Sequence, residues 1–438
     1  MLIIGPGRKG VNHCLRLPGS KSLSIRSLIL ASISSGISVI NNVLDCEDTN
    51  DCLNALRTLG INIGKGENNG TTFIINGCEG IFPANITNID VNVGSSGITC
   101  RFLLAIICAV LSKDKKSRIV RLSASEQLTR RPIGPLVDSL GNLGTNIKYL
   151  GKNGHLPLEI RSAKLSGKSV SVSGTLSSQY VSAVLMMCPL LDDISRVEVT
   201  DIDSDEHPYI QMTIQTMKSF GIDGINEEGN TYTISPQNYR ASNMTIETDL
   251  NTTNYFFALA AATNGSVRIE NVNFDSLQPG LLFLDVLEKI GCSVIREKNS
   301  VTVKGTGRLR GGFRIDMFKM AEMVTLLAVL AIFADSPIEI YNVKHIRNHE
   351  SDRIAAIASE LRKTTIRVEE FDDGIKILPS EASFAVVSSH NDHRMAMALA
   401  IMGIGSKGVA IDNHICVTKT CPEFFKILEY MGIEMKYG

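Results

Sequence analysis

Apolar positions along the chain fall into two helical patterns that alternate and recur six times. The first is a nearly unbroken apolar run: SLILASI, FLLAIICAVL, VSAVLMM, YFFALAAA, VTLLAVLAIFA and MAMALAIMGIG. A helix that is apolar almost all round has to be buried on several sides. Each run follows a cluster of small polar or charged residues, at Ser20, Ser95, Ser177, Asp249, Ala321 and Asp392. Each precedes a β-rich segment, among them SVIN, RIVRLS, VEVTD, SVRIENV, PIEIYNV and VAID. The second pattern is amphipathic and ends near a Gly-plus-aliphatic stop or its equivalent: CLNALRTLGINI, PLVDSLGNLGTNI, TIQTMKSFGIDG, LFLDVLEKIGCSV, RIAAIASELRKTTI and FFKILEYMGIEM.

The apolar helices recur roughly every 70 to 80 residues, a spacing that marks a repeat architecture. Chance alternation in an ordinary α/β protein would not keep both helices in one register six times over. The pattern therefore predicts six αβ units, with three all-apolar helices at the heart of each of two domains and sheets outside them. The opening segment MLIIGPGRKG lacks a complete unit and the last unit stops early. The two ends are thus expected to complete one another, which makes one domain discontinuous.

Composition narrows the class. With 438 residues, 44% of them apolar, the chain can build two or three ordinary domains without disulfide staples. Its ten cysteines form no CxxC pair and no zinc-like spacing, and no signal-peptide pattern is read, so reduced thiols in the cytoplasm are expected. The apolar runs fall short of the roughly 20 residues a bilayer requires. Lys and Arg number 44 against 45 Asp and Glu, which argues against a nucleic-acid coat or a polybasic membrane patch. Any anion site has to be built locally.

The starts of the apolar helices can build one. Helix N-termini expose unpaired N–H groups and the positive end of the macrodipole. Several starts add side-chain donors: Ser20, Lys21, Ser22 and Arg26; Ser95 and Ser96; Ser177, Ser178 and Gln179; Asp392, His393 and Arg394. Singly, each reads as a capped helix. Together they predict a cleft for several anions, joined by basic residues on connections: Arg131, Arg347, Arg353 and Lys419. The GPGRKG stretch matches GxGxxG, but Pro6 and the lack of a following helix remove the dinucleotide context. Gly167-Lys168-Ser169 resembles the end of a phosphate-binding loop, yet Ser162 stands where its first glycine belongs. His390 and His393 in HNDHR read as ordinary hydrogen-bonding histidines rather than metal ligands, and neither metal nor organic cofactor is expected.

Six stretches in order, LPGSKSLSIRSLILASISSG, RRPIGPLVDSLGNLG, GTLSSQYVSAVLM, HESDRI, NDHRMAMALAI and CVTKTCPEFF, resemble the EPSP synthases of the enolpyruvyl transferase family over almost the full chain. The resemblance implies an α/β fold, a two-domain inside-out αβ barrel built from six repeated αβ units. One domain would span 22–246 and the other 1–21 plus 247–438, with the active site in the cleft between them. It also implies a cofactor-free addition and elimination between phosphoenolpyruvate and shikimate 3-phosphate, in a monomer. By that resemblance Lys21, Gly97, Arg131, Gln179, Arg353, Arg394 and Lys419 hold phosphoenolpyruvate. Lys21, Ser22, Arg26, Ser177, Ser178, Gln179, Tyr209 and Glu322 hold shikimate 3-phosphate. Glu350 is the acid, Glu322 the proton acceptor, and His393 lies at the phosphoenolpyruvate end. Read from the residues alone, Glu322 could instead be a helix cap and Tyr209 a core tyrosine.

Five positions depart from the family pattern. Ser95 and Ile98, in VGSSGITCR, stand where Asn and Thr are usual, so one donor changes and one hydroxyl is lost. Glu322 replaces an Asp, a methylene that moves the carboxylate by about 1.5 Å, and misplacements of that order cost about 100-fold in rate. His349 replaces a Lys, exchanging a permanent cation for a group with an ordinary pKa near 6.5, so activity is expected to favour lower pH. Glu206 falls where a serine faces the substrate phosphate. These departures leave open a binder of phosphorylated ligands without turnover. The UDP-N-acetylglucosamine branch of the family fits less well, because SASEQLTRRPIG carries no Cys before its RP pair. An RNA-end-processing enzyme of related repeats lacks support in the neutral charge.

Overall fold

A computed structural model describes residues 1–7, 10–66, 70–83, 87–113, 118–165, 169–174, 177–201 and 208–438. Glu206 lies outside the described residues. The chain divides into two compact units, Met1–Pro18 with Glu247–Gly438, and Gly19–Ile246. Gly19 already belongs to the second: a Cβ there would stand 2.0 Å from the Asn42 carbonyl oxygen.

Among the described residues each unit carries three four-stranded sheets, and all six share one pattern of pairing. A parallel pair begins each sheet and two antiparallel pairs finish it. In the continuous unit, for example, Asn243–Thr245 pairs parallel with Ile37–Asn41, which pairs antiparallel with Phe73–Asn76, which pairs antiparallel with Asn62–Lys65. The two ends of the chain do complete one another. Leu2–Ile4 lies antiparallel between Val409–Ile411 and Met435–Tyr437, with Leu2 opposite both Ile411 and Tyr437.

The six apolar runs form the buried helices. Lys21–Ile33, Gly97–Ser112 and Ser178–Met187 serve the continuous unit; Leu250–Thr263, Val324–Ala331 and His393–Gly405 serve the other. Gly97–Ser112 packs on Ser178–Met187, and His393–Gly405 on both Leu250–Thr263 and Val324–Ala331. Nearly every residue of these helices is buried, in one hydrophobic core per unit. That is the inside-out arrangement predicted by their all-round apolarity: helices within, sheets outside. One start shifts. The helix expected after Ala321 begins only at Val324, because Phe318–Met323 is a 3-10 turn in which Met320 leaves helical geometry at φ −128°. No helix among the described residues is long and apolar enough to cross a membrane.

Candidate active site

In the discontinuous unit the ionisable groups gather around Arg353. This residue opens the Arg353–Lys363 helix, whose N-cap Asp352 accepts from the Ala355 backbone at 3.0 Å. Arg353 is 1% exposed and meets three carboxylates. Its Nε donates to Asp392 Oδ2 at 2.8 Å, Nη2 to Glu350 Oε2 at 3.0 Å, and Nη1 to Glu322 Oε2 at 2.9 Å. Asp392 is itself the N-cap of His393–Gly405, accepting from the Arg394 backbone at 2.9 Å. Glu322 projects from the 3-10 turn and caps nothing: its Oε2 also accepts from Arg394 Nε at 2.9 Å. Lys419 closes the 3-10 turn His414–Lys419, with Nζ 3.9 Å from Glu350 Oε1. His393 is buried with Nδ1 3.8 Å from Asp392 Oδ1, while His390 turns to Glu360, Nε2 to Oε1 at 2.7 Å.

The electrostatics follow from this packing. Burial alone would raise the Glu322 pKa, but Arg353 and Arg394 outweigh it and hold the carboxyl well below its usual range. Burial likewise works against the two guanidiniums, yet Asp392, Glu322 and Glu350 raise Arg353 well above its ordinary value, and Glu322 raises Arg394. A buried cation ringed by carboxylates stays charged.

His349 corrects an expectation. Arg353 Nη1 lies 3.1 Å from its Nδ1, and because arginine only donates, Nδ1 accepts and the ring is neutral. Burial, then the Arg353 charge, push its pKa down to about 3. His345, 5.8 Å away ring to ring, is held at about 4 chiefly by burial. His349 is therefore no switch near pH 6.5, and the preference for lower pH loses its basis. Arg347 also has a different role. It spans Asp352 (3.0 and 2.8 Å), Glu370 (3.2 Å) and the carbonyls of Asp372 (2.9 Å) and Phe371 (2.7 Å), which ties down the segment bearing Glu350.

In the continuous unit the cations keep different company. Lys21, the first residue of its helix, lies 3.0 Å from Asp48. Arg26 is 1% exposed and has Nε 2.8 Å from Thr213 Oγ1, Nη1 3.1 Å from the Ser22 carbonyl, Nη2 3.3 Å from the Tyr209 carbonyl, and the Phe102 ring centroid at 5.0 Å. Burial lowers its pKa to about 10. Its head thus ties Lys21–Ile33 to Pro208–Ser219 and is not brought out toward an anion. Tyr209 is half-buried rather than a core tyrosine. Ser177 is the N-cap of its helix, accepting from Gln179 N at 3.2 Å; Ser178 is the first helical residue and half-buried.

Gly97 opens its helix at a crowded point. A Cβ there would stand 2.5 Å from Arg101 Nη1 and 3.1 Å from Arg131 Nη1, so both guanidiniums lie against the glycine. Arg101 also donates to Gln179 Oε1 at 3.0 Å and stacks on Tyr180 at 5.6 Å. Burial and then the neighbouring Arg131 lower its pKa. Two like charges held together at the positive end of a helix make a strong place for an anion. Ile98, 7% exposed, turns into the core. Two contributors were given no role in the sequence reading: Arg101, the last residue of VGSSGITCR and one turn after Gly97, and Asp392, named there only as part of a helix start.

The fold of inside-out αβ repeats is one shared with solved enolpyruvyl transferases. Its overall likeness is to an EPSP synthase from Acinetobacter baumannii, TM-score 0.82 at 23% identity over 100% of this chain and 99% of that one. It is also like the enolpyruvyl transferase NikO from Streptomyces tendae, TM-score 0.80 at 17% identity over 100% of this chain and 98% of that one. A family model described as EPSP synthase (3-phosphoshikimate 1-carboxyvinyltransferase) matches residues 6–428. A protein of Halalkalibacterium halodurans named 3-phosphoshikimate 1-carboxyvinyltransferase 2 is 37% identical over 435 residues, 99% of this chain and 94% of its own. A chloroplastic 3-phosphoshikimate 1-carboxyvinyltransferase of Brassica napus is 36% identical over 443 residues, 98% of this chain and 84% of its own. The chain belongs to the EPSP synthase family, and the activity that goes with it is that of a carboxyvinyl transferase of the shikimate pathway.

Proposed function

We propose that the chain joins phosphoenolpyruvate to the 5-hydroxyl of shikimate 3-phosphate as follows. The hydroxyl oxygen attacks C2 of phosphoenolpyruvate, Glu350 protonates C3, and Glu322 takes the hydroxyl proton. The C2–O bond to phosphate then breaks with the proton held by Glu322 passing to the departing phosphate, and Glu350 takes a proton back from C3 as the double bond is restored. Lys21, Gly97, Arg131, Gln179, Arg353, Arg394 and Lys419 hold phosphoenolpyruvate. Lys21, Ser22, Ser177, Ser178, Gln179 and Tyr209 hold shikimate 3-phosphate, with Arg26 acting from behind by fixing the carbonyls of Ser22 and Tyr209. His393 stays at the phosphoenolpyruvate end. The working form is taken to be a cytoplasmic monomer, on the family resemblance alone.

The observation that carries this reading is the sharing of Glu322 Oε2 by Arg353 and Arg394. Two phosphorylated carboxylic acids bring about five to six negative charges at neutral pH. An arriving carboxylate displaces Glu322 from the two guanidiniums; released from them, Glu322 regains basicity. Substrate binding thus arms the proton acceptor. The test adds both substrates to purified protein and follows inorganic phosphate. Release that requires both is expected. Thermal stabilisation by the ligands without release would leave a binder and overturn the proposal.

A further inference from the structure

Resting on the proposal that Gly97 and Arg131 receive phosphoenolpyruvate, we infer that Asp51 is a positioning residue for that reactant. Asp48 and Asp51 stand one turn apart on the Glu47–Thr58 helix and so share a face. Asp48 takes Lys21 Nζ at 3.0 Å. Asp51 reaches the neighbouring bend, where its Oδ2 accepts from the Ser95 backbone at 2.9 Å. Gly94 sits at φ 53°, and a Cβ there would meet the two Asp51 carboxylate oxygens at 2.1 and 2.3 Å. Only glycine both leaves room for that carboxylate and adopts this backbone at little cost.

The bonding continues from the bend toward Arg131. Ser95 Oγ donates to Ser125 Oγ at 3.1 Å, and Ser125 N donates to the Gly94 carbonyl at 2.9 Å. Ser125 caps the turn Glu126–Thr129, accepting from Leu128 N at 3.4 Å, and the Leu128 carbonyl accepts from Arg131 N at 3.0 Å. One bonded chain therefore runs from Asp51 through residues 94–95 and Ser125 to the Arg131 backbone, and Gly97 lies just beyond the bend. Arg101 and Arg131 repel each other and gain by spreading; the backbone they converge on has to be held. A carboxylate acceptor holds an N–H more firmly than a neutral one. The device uses Ser95, one of the residues by which this chain departs from the family resemblance.

Steady-state constants for both substrates test this. Turnover by the unaltered protein that needs both substrates secures the parent reading first; its absence would sink that reading, whatever Asp51 does. Given turnover, Asp51→Ala is expected to raise KM for phosphoenolpyruvate about tenfold with KM for shikimate 3-phosphate unchanged, a fraction of what an ångström of misplacement costs. Asp51→Asn, which keeps an oxygen acceptor, restores most of the loss. Gly94→Ala alone raises the same KM, and adding it to Asp51→Ala costs less than the product of the single effects, because the missing carboxylate makes room for the methyl. Should Asp51→Ala fail to fold, Gly94→Ala carries the test. An unchanged phosphoenolpyruvate KM, an equal rise in both constants, or independent effects in the double variant overturns the inference.

Discussion

In the discontinuous unit the buried guanidinium of Arg353 lies among Glu322, Glu350 and Asp392, and that of Arg394 on Glu322. In the continuous unit Arg26 and Arg101 instead meet a hydroxyl, backbone carbonyls, an amide and two aromatic faces. Their pKa directions are opposite, raised for the first pair and lowered for the second. The first set is balanced before any substrate arrives, so a ligand has to exchange with a resident carboxylate. The second holds positive charge against neutral dipoles, so an anion arriving beside Gly97 would add a counter-ion for Arg101, whereas Arg26 is turned inward. Balance makes a site selective by competition; imbalance makes it attractive at a distance.

The largest test of that contrast removes a cation from each side. Arg353→Met strands three carboxylates and is expected to abolish turnover and cost roughly 3–5 kcal/mol of stability in urea unfolding. Arg26→Met leaves only neutral partners behind and should cost about 1–3 kcal/mol. Equal losses would erase the distinction. Next in size is Glu322→Gln. The rate should fall about 100-fold for want of a base, while phosphoenolpyruvate binds several-fold tighter by calorimetry as a neutral amide competes less for the arginines, on the order of 1 kcal/mol. Weaker binding would mean that Glu322 does not compete.

The smallest effects concern acid. The folded pKa values of His345 and His349, about 4 and about 3, lie below the ordinary value of 6.5. The unfolded chain therefore binds more protons in that interval, and stability falls as pH drops from about 6.5. Glu322, held low, adds stability above the ordinary carboxylate range that is lost as pH falls through its folded value. Melting temperatures from pH 7 to pH 4 should decline less steeply in His349→Gln. Its rate profile between pH 6 and 8 should match the parent; an inflection lost there would restore His349 as a working titrating group.

The apolar runs made the six core helices legible, because residues such as Phe102–Leu111 have no polar side to expose. Side-chain company was not legible. Arg26 and Arg353 look alike in one dimension, each near a helix start beside serine or aspartate, yet one finds carbonyls and the other carboxylates. Those partners come from distant segments: Thr213 lies 187 residues from Arg26, and Asp392 lies 39 from Arg353. His349 was readable as a substitution but not as a neutral ring, since its state depends on burial and on Arg353. Glu322 was found, but its 3-10 turn was not, because nothing in MFKMAEM marks where the backbone leaves helical geometry at Met320.

The placement of Leu2–Ile4 between Val409–Ile411 and Met435–Tyr437 has a consequence for biosynthesis. At about 5–20 residues per second, a ribosome needs roughly 20 to 90 s to deliver the second neighbour of that strand. The continuous unit owns all its strands by Ile246 and can condense while the rest is being made. The sheet that covers Leu2 and Ile4 therefore cannot close until the last segment of the chain has been made.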